Sequence, residues 1–139
     1  MKILVIDGQG GGLGKNIIAR IRKDDVFSDT QIIAVGTNSI ATSAMLKAGA
    51  DYGATGENAV IYNCQSADII LGALGIGFAN SMFGEISLKM AAAVSESPAR
   101  KLLVPISKCN VDIIGAVDKV MPQYIDDAIA KLRELFKNS

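Results

Sequence analysis

The sequence predicts a three-layer αβα domain: a parallel sheet of order 3-2-1-4-5 with helices on both faces. Two observations predict it. Short apolar runs of strand length alternate with segments of helical periodicity, the pattern of a parallel sheet whose crossovers are helices. The first run, Lys2 to Ile6, breaks directly into a glycine-rich turn that opens a helical pattern, and this places that strand at the centre of the sheet. The 139 residues read as a single domain, 1–139, large enough to bury a substantial core.

Taken in order, Lys2 to Ile6 is a strand buried on both faces, followed by Asp7 and by five glycines in the seven positions from Gly8 to Gly14. Ile17, Ile18 and Ile21 have helical spacing, so a helix is expected from Leu13 to Lys23, closing on Arg20, Arg22 and Lys23. Asp24 to Thr30 is a polar connection and Gln31 to Val35 a second buried strand. Thr37 or Asn38 caps the next helix, which carries Ile40, Ala44, Met45 and Ala48 on one side and stops at Gly49. Ala50 to Ala54 is a short third strand. Thr55 to Gln65 has the start of a helix but strand-favouring Val60, Ile61 and Tyr62; it is taken as a helix because a crossover is needed there. Asp68 to Gly72 is the fourth strand, Ala73 to Asn80 a glycine-rich loop, and Met82 to Ser95 a helix. Lys101 to Ile106 is the fifth strand, Ser107 to Asn110 a turn, and Val111 to Ala116 a short apolar piece read as an edge strand. Pro122 sits at the start of a final helix reaching Phe136.

Composition narrows the function. With 14 basic and 14 acidic residues the formal charge is zero, so no basic excess supports nucleic-acid binding. The longest uncharged stretch, Ile69 to Gly84, holds four glycines and is short for a membrane span. The opening apolar run ends at Asp7, too soon for a signal peptide. Two cysteines, Cys64 and Cys109, form no CxxC pair, which fits a reduced, cytoplasmic setting. The absence of histidine removes Ser-His and Cys-His catalysis and imidazole metal sites, and no metal site is expected.

The chemistry of the chain lies in its glycine loop. Glycine lets a ligand approach bare backbone, and the first N–H groups of a helix attract an anion, usually a phosphate. The cofactor-binding candidates are therefore Gly8, Gln9, Gly10, Gly11, Gly12, Leu13, Gly14 and Lys15, with an anion expected at the amides of Gly10 to Lys15. The ATPase phosphate-loop pattern GxxxxGK[ST] fails, because its first glycine falls on Gln9 and its hydroxyl on Asn16. The dinucleotide pattern GxGxxG meets Leu13 at its third glycine. The pattern GxxxGxG fits Gly8, Gly12 and Gly14 and resembles the cofactor loop of short-chain dehydrogenases. The YxxxK pair of those enzymes is missing, since Tyr52, Tyr62 and Tyr124 are followed four residues on by Gly56, Ser66 and Ala128. Where a nicotinamide-dinucleotide site places an acid after the second strand, this chain has Thr37, Asn38 and Ser39, neutral hydrogen-bonders that complete the candidate set. The ligand expected is a phosphate-bearing small molecule, NAD(P) or another nucleotide. The alternative is that the glycines only let the first helix pack tightly on the sheet.

Two further groups stand out. Asp7 either binds magnesium or, the simpler role, holds the loop by accepting backbone N–H bonds. Cys109, beside Lys108, is either an activated thiol or a small buried hydrophobe; Cys64 has no activating neighbour. Between Ile69 and Val94 the charges are Glu85 and Lys89, and Phe78, Met82, Phe83 and Met90 are more than a crossover helix hides; with Ile86, Met90 and Ala93 facing the sheet, Phe83, Leu88, Ala91 and Ala92 point elsewhere. A homo-oligomer through the region around Phe83 is expected.

The segments VIDGQGGGLGK (Val5 to Lys15), GTNSIATSAMLKAGA (Gly36 to Ala50), ATGENA (Ala54 to Ala59), ANSMFGEIS (Ala79 to Ser87) and SKCN (Ser107 to Asn110) together resemble domain-of-unknown-function family 3842, an uncharacterised bacterial family. The resemblance implies a small cytosolic protein of Rossmann-like fold. It brings no activity, substrate or catalytic residue. Two functional readings stay open: a nucleotide-binding domain, with or without catalysis, and a non-catalytic oligomeric sensor or interaction module whose glycine loop is structural.

Overall fold

In the computed structural model, which describes residues 1–106 and 110–138, five parallel strands form one sheet of order β3-β2-β1-β4-β5. The strands are β1 (Lys2–Asp7), β2 (Gln31–Gly36), β3 (Tyr52–Thr55), β4 (Ile69–Ala73) and β5 (Arg100–Val104). β1 pairs with β2 from Lys2↔Gln31 to Asp7↔Gly36 and with β4 from Ile3↔Ile69 to Val5↔Leu71. The helices are α1 (Gly12–Arg22), α2 (Ser39–Lys47), α3 (Glu57–Cys64), α4 (Leu88–Glu96) and α5 (Met121–Lys137). α1 and α2 pack together on one face, where α5 joins α1, and α3 and α4 pack together on the other, the arrangement that right-handed crossovers with a reversal of direction after β3 require. The Rossmann-like three-layer arrangement follows, with the order the alternation of elements predicts.

Ile3 to Ile6 of β1 are inaccessible from both sides, consistent with their unbroken apolar run. Ile17, Ile18 and Ile21 of α1 cover one face of the strand, and Ile125, Ile129 and Leu132 of α5 extend that layer. Phe27 and Phe136 meet edge to face, 4.8 Å between centroids, and tie the end of α5 to the turn before β2. At the amino edge of the sheet Arg22 closes a polar knot. It donates to Gly49 O (2.8 Å), Thr30 O (3.0 Å) and Asp51 Oδ2 (2.6 Å), which also accepts from Ile32 N (2.8 Å).

Four expectations need correction. The helix expected from Met82 begins at Leu88 instead, with Ser87 Oγ accepting from Met90 N at its cap. Met82, Phe83 and Gly84 before it have positive φ (57°, 57° and 88°), which no right-handed helix contains. Ala91, expected at the surface, is buried by its place on α4. The piece Val111 to Ala116 forms no strand: it is exposed, bends through Gly115 (φ 89°) and finds no partner strand among the described residues. On α2 the buried face is Ala41, Thr42 and Met45, one residue round from the face expected. Ile40 is 71 % exposed and Ala44 is partly so, and both line a groove described below. The turn expected over Ser107 to Asn110 lies outside the described residues except at Asn110.

Candidate functional site

The glycine loop leaves β1 at the carboxyl edge of the sheet and enters α1. Its course is set by Asp7, whose buried carboxylate accepts from Gly8 N–H at Oδ1 (2.8 Å) and from Gly14 N–H at Oδ2 (2.7 Å). A third closure runs from Gly11 N–H to Gly8 O (2.9 Å). Asp7 is thus the brace of the loop, the simpler of its two expected roles. Burial pushes its carboxyl above the ordinary aspartate value; the Gly14 and Gly8 N–H groups pull it down, the nearby Glu85 charge pushes it up, and the Leu13 N–H pulls it down.

The five glycines divide by what surrounds them. A Cβ on Gly8 would lie 2.8 Å from both Met82 Sδ and Thr37 Oγ1. Gly11 caps α1 with φ 75°, and a Cβ there would lie 2.9 Å from Ala41 Cα, backbone against backbone. On Gly14 it would lie 2.5 Å from Met45 Sδ and 3.0 Å from Asp7 Cβ. These three are fixed by packing or conformation. Gly10 and Gly12 are different: a Cβ on either meets nothing within 4 Å, and neither has positive φ. Their N–H groups have no acceptor among the described residues, whereas those of Gly11, Gly14 and Lys15 are all engaged internally.

Glu85 is the residue that sequence reasoning missed. Asn80 N–H donates to Ile86 O (2.6 Å) and Ile86 N–H to Ser81 O (3.2 Å), closing a loop that reverses through Met82, Phe83 and Gly84. That loop crosses from β4 over the end of β1 and sets Glu85 above Gly8. There Glu85 Oε1 accepts from Gln9 N–H (2.9 Å), from Asn38 Nδ2 (3.0 Å) and from the Thr37 hydroxyl. The Thr37 hydroxyl, first, and the Gln9 and Asn38 donors hold its carboxyl below the usual glutamate value, against a smaller opposing effect of burial. Asn38 also caps α2 by accepting from Ala41 N (2.9 Å) and donates to Gln9 O (2.9 Å), so it locks loop to helix. A signal for Glu85 does exist in the sequence: it is the lone charge between Asp68 and Lys89.

On the outer side, a groove of about 760 Å³ opens between α1 and α2, one turn along from Gly12. Lys15 and Lys47 flank it, Ser39 and Ser43 add hydroxyls, and Ile40 and Ala44 form an apolar wall. Among the described residues neither lysine enters an ion pair. Of the expected site residues, Lys15 and Ser39 line this groove, Gln9, Thr37 and Asn38 meet at Glu85, and Gly10 and Gly12 have open space at their Cβ positions. Gly8, Gly11, Leu13 and Gly14 serve the loop itself, Leu13 as a buried side chain. Cys64 is buried, and burial raises its thiol to about 11 despite Lys101 nearby, so it stays protonated. Cys109, with Ser107 and Lys108, lies outside the described residues. A second cleft of about 420 Å³, between Leu102 and Val104 of β5 and Tyr124 and Ala128 of α5, is mainly apolar and stands apart from the loop. No helix among the described residues is long and apolar enough to cross a membrane.

No curated protein matches the chain. Among solved structures it is similar to the dodecameric FMN-dependent UbiX-like decarboxylase from Escherichia coli O157:H7. The two are 16% identical, the match covers 95% of this chain and 76% of that one, and the TM-score is 0.46. A family model described as domain of unknown function (DUF3842) matches residues 2–137, and with a match of that extent the chain belongs to this family.

Proposed function

We propose that the protein binds a phosphate-bearing ligand, a nucleotide such as NAD(P) or a nucleoside polyphosphate, with its phosphate on the Gly10 and Gly12 N–H groups. The observation that carries this reading is the division among the glycines. Gly8, Gly11 and Gly14 have internal reasons to lack a side chain; Gly10 and Gly12 have none, and their amides, at a helix N-terminus, find no acceptor among the described residues. Lys15 and Lys47 add positive charge along the groove that leads away from Gly12. Gly12→Asp tests it. The variant keeps the wild-type melting temperature, because its side chain enters open space. It loses at least about tenfold in affinity for ATP or NAD(P) by calorimetry, because a carboxylate covers the donors and repels the phosphate. Unchanged affinity with an intact fold removes phosphate binding from this loop.

The oligomeric reading rests on a separate feature. Phe83 is 100 % exposed on a left-handed turn, and Leu88, five residues on at the start of α4, is 73 % exposed. A homo-oligomer built around Phe83 would bury both. Light scattering on wild type and Phe83→Glu checks it, the variant giving the smaller mass; a monomeric wild type at micromolar concentration rejects it.

A further inference from the structure

We propose that Glu85 is the specificity-determining residue of this site: it accepts the sugar hydroxyls of the ligand, which is therefore a nucleotide with a free vicinal diol and not one phosphorylated there. The inference rests on the phosphate-binding reading above and assigns the second half of the same ligand.

The geometry is that of a carboxylate held for use. Three donors from two separate loops, Gln9 N–H, Asn38 Nδ2 and the Thr37 hydroxyl, converge on Oε1. They fix the plane of the group. Oε2 receives no donor among the described residues. A carboxylate accepts hydrogen bonds and donates none, so its open oxygen suits hydroxyls and rejects a phosphate. Its position suits them too. Gln9, whose N–H it accepts, adjoins Gly10, so the carboxylate and the unsatisfied amides share one loop at the carboxyl edge of β1 and β2. A 5′-phosphorylated sugar, whose 3′ carbon lies four bonds from the phosphorus, would bridge them.

The backbone that delivers Glu85 is costly. Asn80, Met82 and Phe83 all hold positive φ (69°, 57° and 57°), a conformation that side chains disfavour and that persists only where surrounding structure over-determines it. Buried Ser81, whose hydroxyl donates to Gly75 O, and buried Ile86 anchor the two ends of this turn. The turn thus presents Glu85 from a fixed base.

Three probes of comparable phosphate charge separate the possibilities: ATP, 2′,3′-dideoxy-ATP and inorganic tripolyphosphate, each titrated against wild type, Glu85→Gln and Gly12→Asp by calorimetry. Wild type is expected to bind ATP about tenfold or more tightly than the dideoxy analogue, since the hydroxyls meet a fixed charged acceptor. In Glu85→Gln that preference collapses to within about twofold, while tripolyphosphate affinity moves less than about threefold. Gly12→Asp weakens all three. If wild type binds ATP and its dideoxy analogue equally, with tripolyphosphate bound and lost in Gly12→Asp, the role of Glu85 is overturned and phosphate binding stands. A uniform gain for all three probes in Glu85→Gln, with no hydroxyl preference in wild type, also overturns it, because Glu85 would then merely occupy the anion site. Failure of wild type to bind any probe overturns both readings.

Discussion

The glycine loop has an inner and an outer side, and the two use the same residue for opposite ends. On the inner side a Cβ on Gly8, Gly11 or Gly14 would strike Met82, Ala41, Met45 or Asp7, and their N–H groups donate to the Asp7 carboxylate and to Gly8 O. On the outer side a Cβ on Gly10 or Gly12 would meet nothing within 4 Å, and their N–H groups have no acceptor among the described residues. A glycine required by the fold is recognised by what a Cβ would strike. A glycine kept for a ligand is recognised by an empty space in which a Cβ would strike nothing. Tight packing accounts for Gly8, Gly11 and Gly14; it does not account for Gly10 and Gly12, where the proposed ligand would approach.

The largest expected effect breaks the comparison most directly. Gly11→Ala must hold φ at 75° and push against the Ala41 backbone, which together cost about 2–4 kcal/mol. Gly10→Ala meets open space and changes stability by less than about 0.5 kcal/mol. Urea unfolding of the two variants reads the difference. Equal losses would mean that the outer glycines are structural as well.

Asp7→Asn probes the brace between the two sides. An amide offers one oxygen where the carboxylate offers two, so one of the Gly8 and Gly14 N–H groups loses its acceptor, at about 1–3 kcal/mol. Relief of the buried charge offsets part of that. The pH dependence has a definite sign. The folded-state value of Asp7 lies above 3.8, so the native state holds its proton more tightly than the unfolded chain does. Its contribution is full below pH 3.8 and is lost as pH rises through the raised value. The stability gap between wild type and Asp7→Asn should therefore narrow from pH 3.5 to pH 7, and a gap that widens over that range contradicts the assignment.

The fold was legible because its signals are local. The unbroken apolar run of β1, the helical spacing of Ile17, Ile18 and Ile21, and the turn at Gly36 each act within a few residues, and their order carries the topology. The candidate site was legible in its glycine loop and in Thr37 and Asn38 after the second strand, but not in Glu85. Glu85 meets Gln9, Thr37 and Asn38, partners 76, 48 and 47 residues away, and no periodicity registers such contacts. Met82 and Phe83 read as the first turn of a helix, yet Gly84 and the Ser87 cap mark a turn that ends before the helix begins. The same turn supplies both features the sequence obscured, the delayed start of α4 and the carboxylate at the site.

The smallest expected effect concerns Glu85 and has the opposite sign to that of Asp7. Hydrogen bonds from Thr37, Gln9 and Asn38 hold its folded-state value below 4.5, so the native state binds the proton less readily than the unfolded chain. The stability it contributes is present above pH 4.5 and is lost as pH falls through the lowered value. Glu85→Gln cannot titrate, so the wild-type advantage over this variant should fade between pH 4.5 and pH 3. Its size stays below about 1 kcal/mol, because solvent reaches the carboxylate and screens it. The variant also removes a negative charge beside Asp7, which lowers the Asp7 value and adds a small gain of its own at neutral pH. Unfolding free energies for both proteins at pH 3, 4.5 and 7 separate these contributions. Parallel curves across that range would show that the three donors do not favour the charged carboxylate, and that Glu85 is not held on the loop as the hydrogen bonds require.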